Sequence, residues 1–152
     1  LEGGSLHLDE DEREVVAQEA AAASRALEGG LALDAQRLAE AARLGSVPAG
    51  LVGLLEQVVM ASLQGGRARH KYTAEGERTL VRLLLRTPLG QQVESQLALV
   101  NKALGSLRGR QVEEARVVMR SPGHFVFELK AGAVGLTLSF RPNGVYVDAL
   151  SA

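Results

Sequence analysis

With 152 residues, 46% of them hydrophobic and 23% charged, the chain is long enough to bury a core without covalent staples, and having no cysteine it has no disulfide framework. Its formal net charge of −1 argues against a globally basic nucleic-acid binder. No run approaches the roughly 18–20 apolar residues of a membrane span and no basic-then-apolar leader opens the sequence, so it reads as a soluble, cytoplasmic chain unless it is cut from a longer exported one. Heavy use of Ala, Leu, Gly and Arg points to a GC-rich bacterial genome.

Residues 1–8 read as a flexible start, with Leu1–Ser5 resembling a linker or expression remnant. Asp9 and Glu12 have the spacing of a capping box, and the acidic residues beside them suit the positive end of a helix dipole. The helix they open should run to about Leu27, with Val16, Ala20, Ala23 and Leu27 on one stripe and Gly29-Gly30 as its stop. The Ala20–Ala23 run permits close approach of another helix. A second helix is expected from Asp34, as N-cap, to Leu44, burying Ala35, Leu38, Ala39 and Ala42 before Gly45 ends it. Pro48 marks the start of a third helix, to Leu63, in which apolar residues cover nearly the whole circumference. Such a helix is either central and buried or given to a partner, and Leu51, Leu55, Val58 and Val59 are its candidate interaction residues.

A basic stretch follows, Arg67 to Lys71, and then Thr73, whose hydroxyl can cap a helix beginning at Ala74 with Leu80, Leu83 and Leu84 on its core face. Thr87-Pro88 interrupts that helix, because the residue before proline is biased away from the helical region. From about Pro88 to Leu107 a further helix carries Val93, Leu97, Val100 and Leu104 at helical spacing. Residues 115–150 alternate apolar and polar side chains through four short runs, which predicts an antiparallel β-meander. Phe125, Phe127 and Leu129 share a face in one run, as do Val134, Leu136, Leu138 and Phe140 in the next; the faces predict burial of Phe127, and Pro142-Asn143-Gly144 predicts a tight hairpin. The fold class that results is α+β: a helical part over 9–86, then a helix packed on a four-stranded antiparallel sheet over 87–152, both in one compact body.

Charge is unevenly spread, with eight acidic against two basic side chains in residues 1–30 and six basic against two acidic in residues 64–86. The two segments either complement each other or form solvated faces. Residues 34–86 also resemble a degenerate winged helix-turn-helix of the MarR-like and PadR-like regulators. The resemblance is carried by Asp34–Ala42, the turn at Gly45-Ser46, the third helix, the basic stretch in the place of a wing, and His70-Lys71-Tyr72-Thr73-Ala74-Glu75-Gly76. It implies DNA contact through Arg67, Arg69, His70, Lys71 and Arg78. The third helix departs from the pattern, since Pro48–Leu63 holds no Arg, Lys, Asn or Thr to read base edges. Residues 88–150 resemble the helix-plus-meander rolls of cystatin-like and NTF2-like domains, which implies a fold and a place for a small ligand between helix and sheet.

The hydrolase, nucleotide-binding and zinc motifs G-x-S-x-G, P-loop, G-x-G-x-x-G and H-E-x-x-H are absent from the sequence. His7, His70 and His124 are scattered, and Glu113-Glu114 would face opposite sides of a strand, so no acid–base pair forms there. The sequence therefore points to a non-enzymatic domain without cofactor or metal, binding another protein or a second copy of itself through the third helix. A winged-helix DNA regulator and a small-ligand roll are the alternatives.

Overall fold

The computed structural model describes residues 4–152 and is α+β, with five helices followed by a four-stranded antiparallel sheet. The chain forms two compact units, one up to Gln91 and one from Gln92 onward, so the boundary falls inside a helix, beyond the Thr87-Pro88 break suggested by the sequence. Among the described residues no helix is long and apolar enough to cross a membrane.

The first unit begins with β1 (Leu6–His7), which pairs antiparallel with β2 (Ser46–Val47). Leu1–Gly3 of the expected flexible start lie outside the described residues; Leu6 and Leu8, by contrast, are buried in the core and hold the segment in place. Helix α1 (Glu10–Ala26) starts at the predicted capping box. Asp9 Oδ1 accepts from the Glu12 N–H at 2.9 Å, and the Asp9 N–H donates to Glu12 Oε2 at 2.9 Å. Helix α2 (Gly29–Leu44) starts earlier than the Asp34 cap suggests, because its first turn runs through Gly29-Gly30 and leaves Leu31 and Leu33 exposed. Its buried face is the expected Ala35, Leu38, Ala39 and Ala42, and it ends where Gly45 takes the left-handed conformation (φ 82°, ψ 14°) that spares a Cβ clash.

Helix α3 (Ala49–Gln64) follows Pro48, and its apolar residues are mostly turned inward: Val52, Leu55, Val58 and Val59 are buried with α1, α2 and the next helix in one core. Helix α4 (Arg67–Leu85) is broken at Thr73, whose φ of 65° and ψ of −174° are non-helical. The break lies beside the predicted start at Ala74, but the basic stretch before it is helix instead of an extended wing. At the far end the Thr87 hydroxyl donates to the Leu84 carbonyl at 2.7 Å and accepts from the Gly90 N–H at 3.3 Å, turning the chain into α5 (Pro88–Gly105).

In the second unit, α5 covers part of a meander of order β3-β4-β5-β6: Glu114–Ser121, His124–Ala131, Val134–Arg141 and Gly144–Ser151. The register pairs Phe125 with Phe140, Phe127 with Leu138 and Leu129 with Leu136, placing the predicted apolar set on one face. The core there is Val100, Ala103, Leu136 and Leu138, with Leu107, Phe127, Val145 and Val147 packed against it. The helix is therefore rotated from the predicted stripe: Leu97 and Leu104 are exposed, and Ala103 supplies the close approach. Phe127 is half-buried, not fully buried, and Phe125 and Phe140 are exposed, since α5 packs over the β5–β6 side of this face. On the opposite face Val126 is buried between Val118 and Ser139 across the two ladders. The last hairpin turns on Pro142-Asn143, and Gly144 is already paired with Arg141, which fits a type I turn with proline first and glycine after it.

Candidate functional site

Two buried carboxylates organise the polar side of the helical unit. Glu19, only 4% exposed on its side chain, accepts from Arg67 Nε at 3.0 and 2.9 Å and from the Tyr72 hydroxyl at 2.5 Å, with Lys71 Nζ 3.8 Å away. Glu12, equally secluded, receives Arg86 Nη2 at 2.5 Å and lies 4.0 Å from Arg82 Nε, while Arg82 also reaches Asp9 at 3.5 Å. A carboxylate taken out of water must be paired and hydrogen-bonded, and the acidic first segment meets that requirement with the basic residues of α4 and Arg86. The charge asymmetry of the sequence is thus largely self-complementary.

This arrangement determines what is left of the candidate DNA contact. Arg67 and Lys71 turn toward Glu19, and Arg78 pairs with Glu75 at 3.6 Å on the surface. Arg69 and His70 are exposed on the rim of a separate depression with Gln64 and Glu77. The five residues do not converge on one cationic face.

Tyr72 carries the clearest electrostatic signature of the site. Burial pushes its phenol well above the ordinary value, and the hydrogen bond to the Glu19 carboxylate raises it further. The raised value favours the protonated phenol in the folded chain, so its contribution to stability is fully present below the unfolded value of about 10 and is lost as pH rises through the folded one. The parent should therefore lose stability above about pH 10. Tyr72→Phe should flatten that decline when urea midpoints are compared between roughly pH 9 and 11, and parallel curves for the two proteins would refute the assignment.

The predicted interaction residues of α3 are placed unequally. Leu55 and Val59 are closed inside the core, Leu51 is half-buried against it, and only Val58 borders an accessible cavity. The apolar circumference of α3 is explained by its central position, which gives one side to α1, another to α2 and a third to α4. As exposed anchors Leu55 and Val59 are unavailable. What remains open is a groove of about 360 Å³ between the second half of α1 and α3. Ala22, Ala23, Ala26 and Leu27 form one wall, Leu54, Val58 and Ala61 the other, and Glu19 with Arg67 closes one end. The Ser62 hydroxyl lines the groove at 2% exposure and has no hydrogen-bond partner among the described residues. Of these residues the sequence signalled Val58 and, through the alanine run, the α1 wall; Ser62 carries no periodic or motif signal and was not foreseen.

A larger depression of about 570 Å³ lies on the opposite side of α1, lined by Arg13, Arg25, Arg43 and Lys71 together with Glu10 and Glu14. Both charge signs line it, with the cationic side chains in excess. The interface of α5 with its sheet, where a roll-like ligand site was expected, is filled by Val100, Ala103, Leu107, Phe127 and the β5–β6 side chains. His124, one of the three scattered histidines, is half-buried, and its Nε2 has no hydrogen-bond partner among the described residues. No protein-family model, curated protein or solved structure matches the chain.

Proposed function

We propose that the chain is a non-enzymatic protein-interaction domain that receives the apolar face of a partner's helix in the groove between α1 and α3. The observation that carries this reading is the open groove itself, whose two walls are built from Ala22, Ala23, Ala26 and Leu27 on one side and Leu54, Val58 and Ala61 on the other. The walls suit a helix: alanines let a backbone approach closely, while Leu27, Leu54 and Val58 offer grip to side chains spaced three and four residues apart.

Selection of amphipathic helices from a displayed library provides the test. Helices that occupy the groove should lose about tenfold or more in affinity against Ala61→Arg, a substitution at an exposed wall position, and keep their affinity against Arg69→Ala outside it. Selected helices that bind Ala61→Arg as well as the parent would end the groove reading. The DNA-regulator alternative needs Arg67 and Lys71 to leave Glu19, and a gel shift across a salt series separates it, because phosphate contact gives a steep salt slope.

A further inference from the structure

The groove between α1 and α3 is charged at one end only. Among the described residues that line it, the charged side chains are Glu19 and Arg67, and Ala26 on the same wall lies about 10 Å farther along the α1 axis than Glu19. Glu19 is buried, whereas the Arg67 side chain is 47% exposed. Arg67 reaches the carboxylate through Nε alone, and its two terminal Nη nitrogens make no hydrogen bond among the described residues. Glu19 also accepts from the Tyr72 hydroxyl and has Lys71 Nζ 3.8 Å away, so two cations face one buried anion and the cluster keeps a positive charge. Lys71 lines the depression across α1; Arg67 is the cation that lines the groove.

We infer that the partner helix carries a carboxylate, from an aspartate or a glutamate, at one end of its apolar stripe, and that this group pairs with the outer edge of the Arg67 guanidinium. The inference rests on the helix-binding reading of this groove and names the chemistry of the helix. The groove runs for about two helical turns, so apolar anchors over two turns of the partner fill it. The acidic residue then falls three or four positions beyond the last anchor, on the same helical face.

The chemistry of the guanidinium favours this occupant over the alternatives. Its donors form a rigid planar fork, and with Nε taken by Glu19 the Nη edge is left for a carboxylate to accept from two nitrogens at once. Because Glu19 already holds the side chain, less rotamer freedom is lost on binding than at an untethered surface arginine. An apolar residue laid over Arg67 would strip its water and return nothing, and a lysine or arginine would bring like charge. The charged end therefore discriminates among helices that the apolar walls would accept alike.

Amphipathic helices, acetylated and amidated so that no terminal charge enters, are selected for binding to the full chain, and each is remade with its acidic residue changed to glutamine or to lysine. Selected helices are expected to carry Asp or Glu three or four positions from an apolar anchor. Their glutamine and lysine forms should bind the parent about tenfold and about a hundredfold more weakly. The variant with both Glu19→Gln and Arg67→Gln exchanges the buried ion pair for an amide pair, and circular dichroism checks its fold. Against it the acidic and glutamine forms should bind within about threefold of each other. Ala26→Trp, at an exposed wall position away from Arg67, fills the groove without adding charge and should weaken every form. Helices that lose affinity with Ala26→Trp yet bind equally well with glutamine in place of the acid would overturn the carboxylate and leave the groove reading standing. Helices indifferent to Ala26→Trp would remove the groove reading and this inference with it. An acidic preference undiminished in the double variant would overturn Arg67 as the group that meets it.

Discussion

Replacing Leu55 with alanine is expected to destabilise the helical unit by about 2–5 kcal/mol, the range for a fully buried leucine whose surroundings relax only partly. Leu55 is wholly buried at the middle of α3, where α1, α2 and α4 meet. Leu55→Glu should go further and unfold the unit, because a carboxylate would be buried among the apolar side chains of this core. Urea titration followed by circular dichroism reads both. A Leu55→Glu protein that stays folded, or a loss under about 1 kcal/mol in the alanine variant, would mean that α3 presents this residue outward after all.

A second substitution should be as costly for the opposite reason. A Cβ added at Gly90 would overlap the Leu84 carbonyl oxygen and the Leu85 Cα, where the chain leaves α4 through the buried Thr87 and enters α5. These obstructing atoms are backbone and cannot swing aside. Gly90→Ala is expected to cost about 3 kcal/mol, the upper end of overpacking penalties. Gly53→Ala, in an exposed helical position with open space around it, should instead stabilise by about 0.5–1 kcal/mol through helix propensity. If the two variants shift the unfolding midpoint alike, the close approach at the α4–α5 corner does not exist.

The α+β class, the Asp9–Glu12 cap, the Gly45 stop and the meander register were legible because each rests on local chemistry or strict period-two alternation. Burial within the meander was not. Alternation assigns faces, but which part of a face is covered depends on the rotation and placement of α5, and Phe125 and Phe140 were left uncovered. The basic stretch was misread for a related reason. Its spacing is compatible with a wing or a helix, and the choice depends on Glu19, 48 residues from Arg67, which accepts it. The α1 wall of the groove was partly visible in the alanine run, whereas Ser62 was hidden because a single hydroxyl in an apolar helix carries no pattern.

The break at Thr73 follows from a mismatch of lengths. Glu12 and Glu19 stand two turns apart on α1, about 10 Å along its axis. Their cationic partners Arg86 and Arg67 lie nineteen residues apart, and a straight helix would separate them by about 28 Å. An unbroken rod would leave the side chains of Arg67 and Arg86 to span the whole difference. A β-branched residue held at positive φ is a strained joint, and here it divides the helix into two shorter levers, each fixed to its own carboxylate. The joint at Thr73 thus lets each half of the helix meet its own carboxylate.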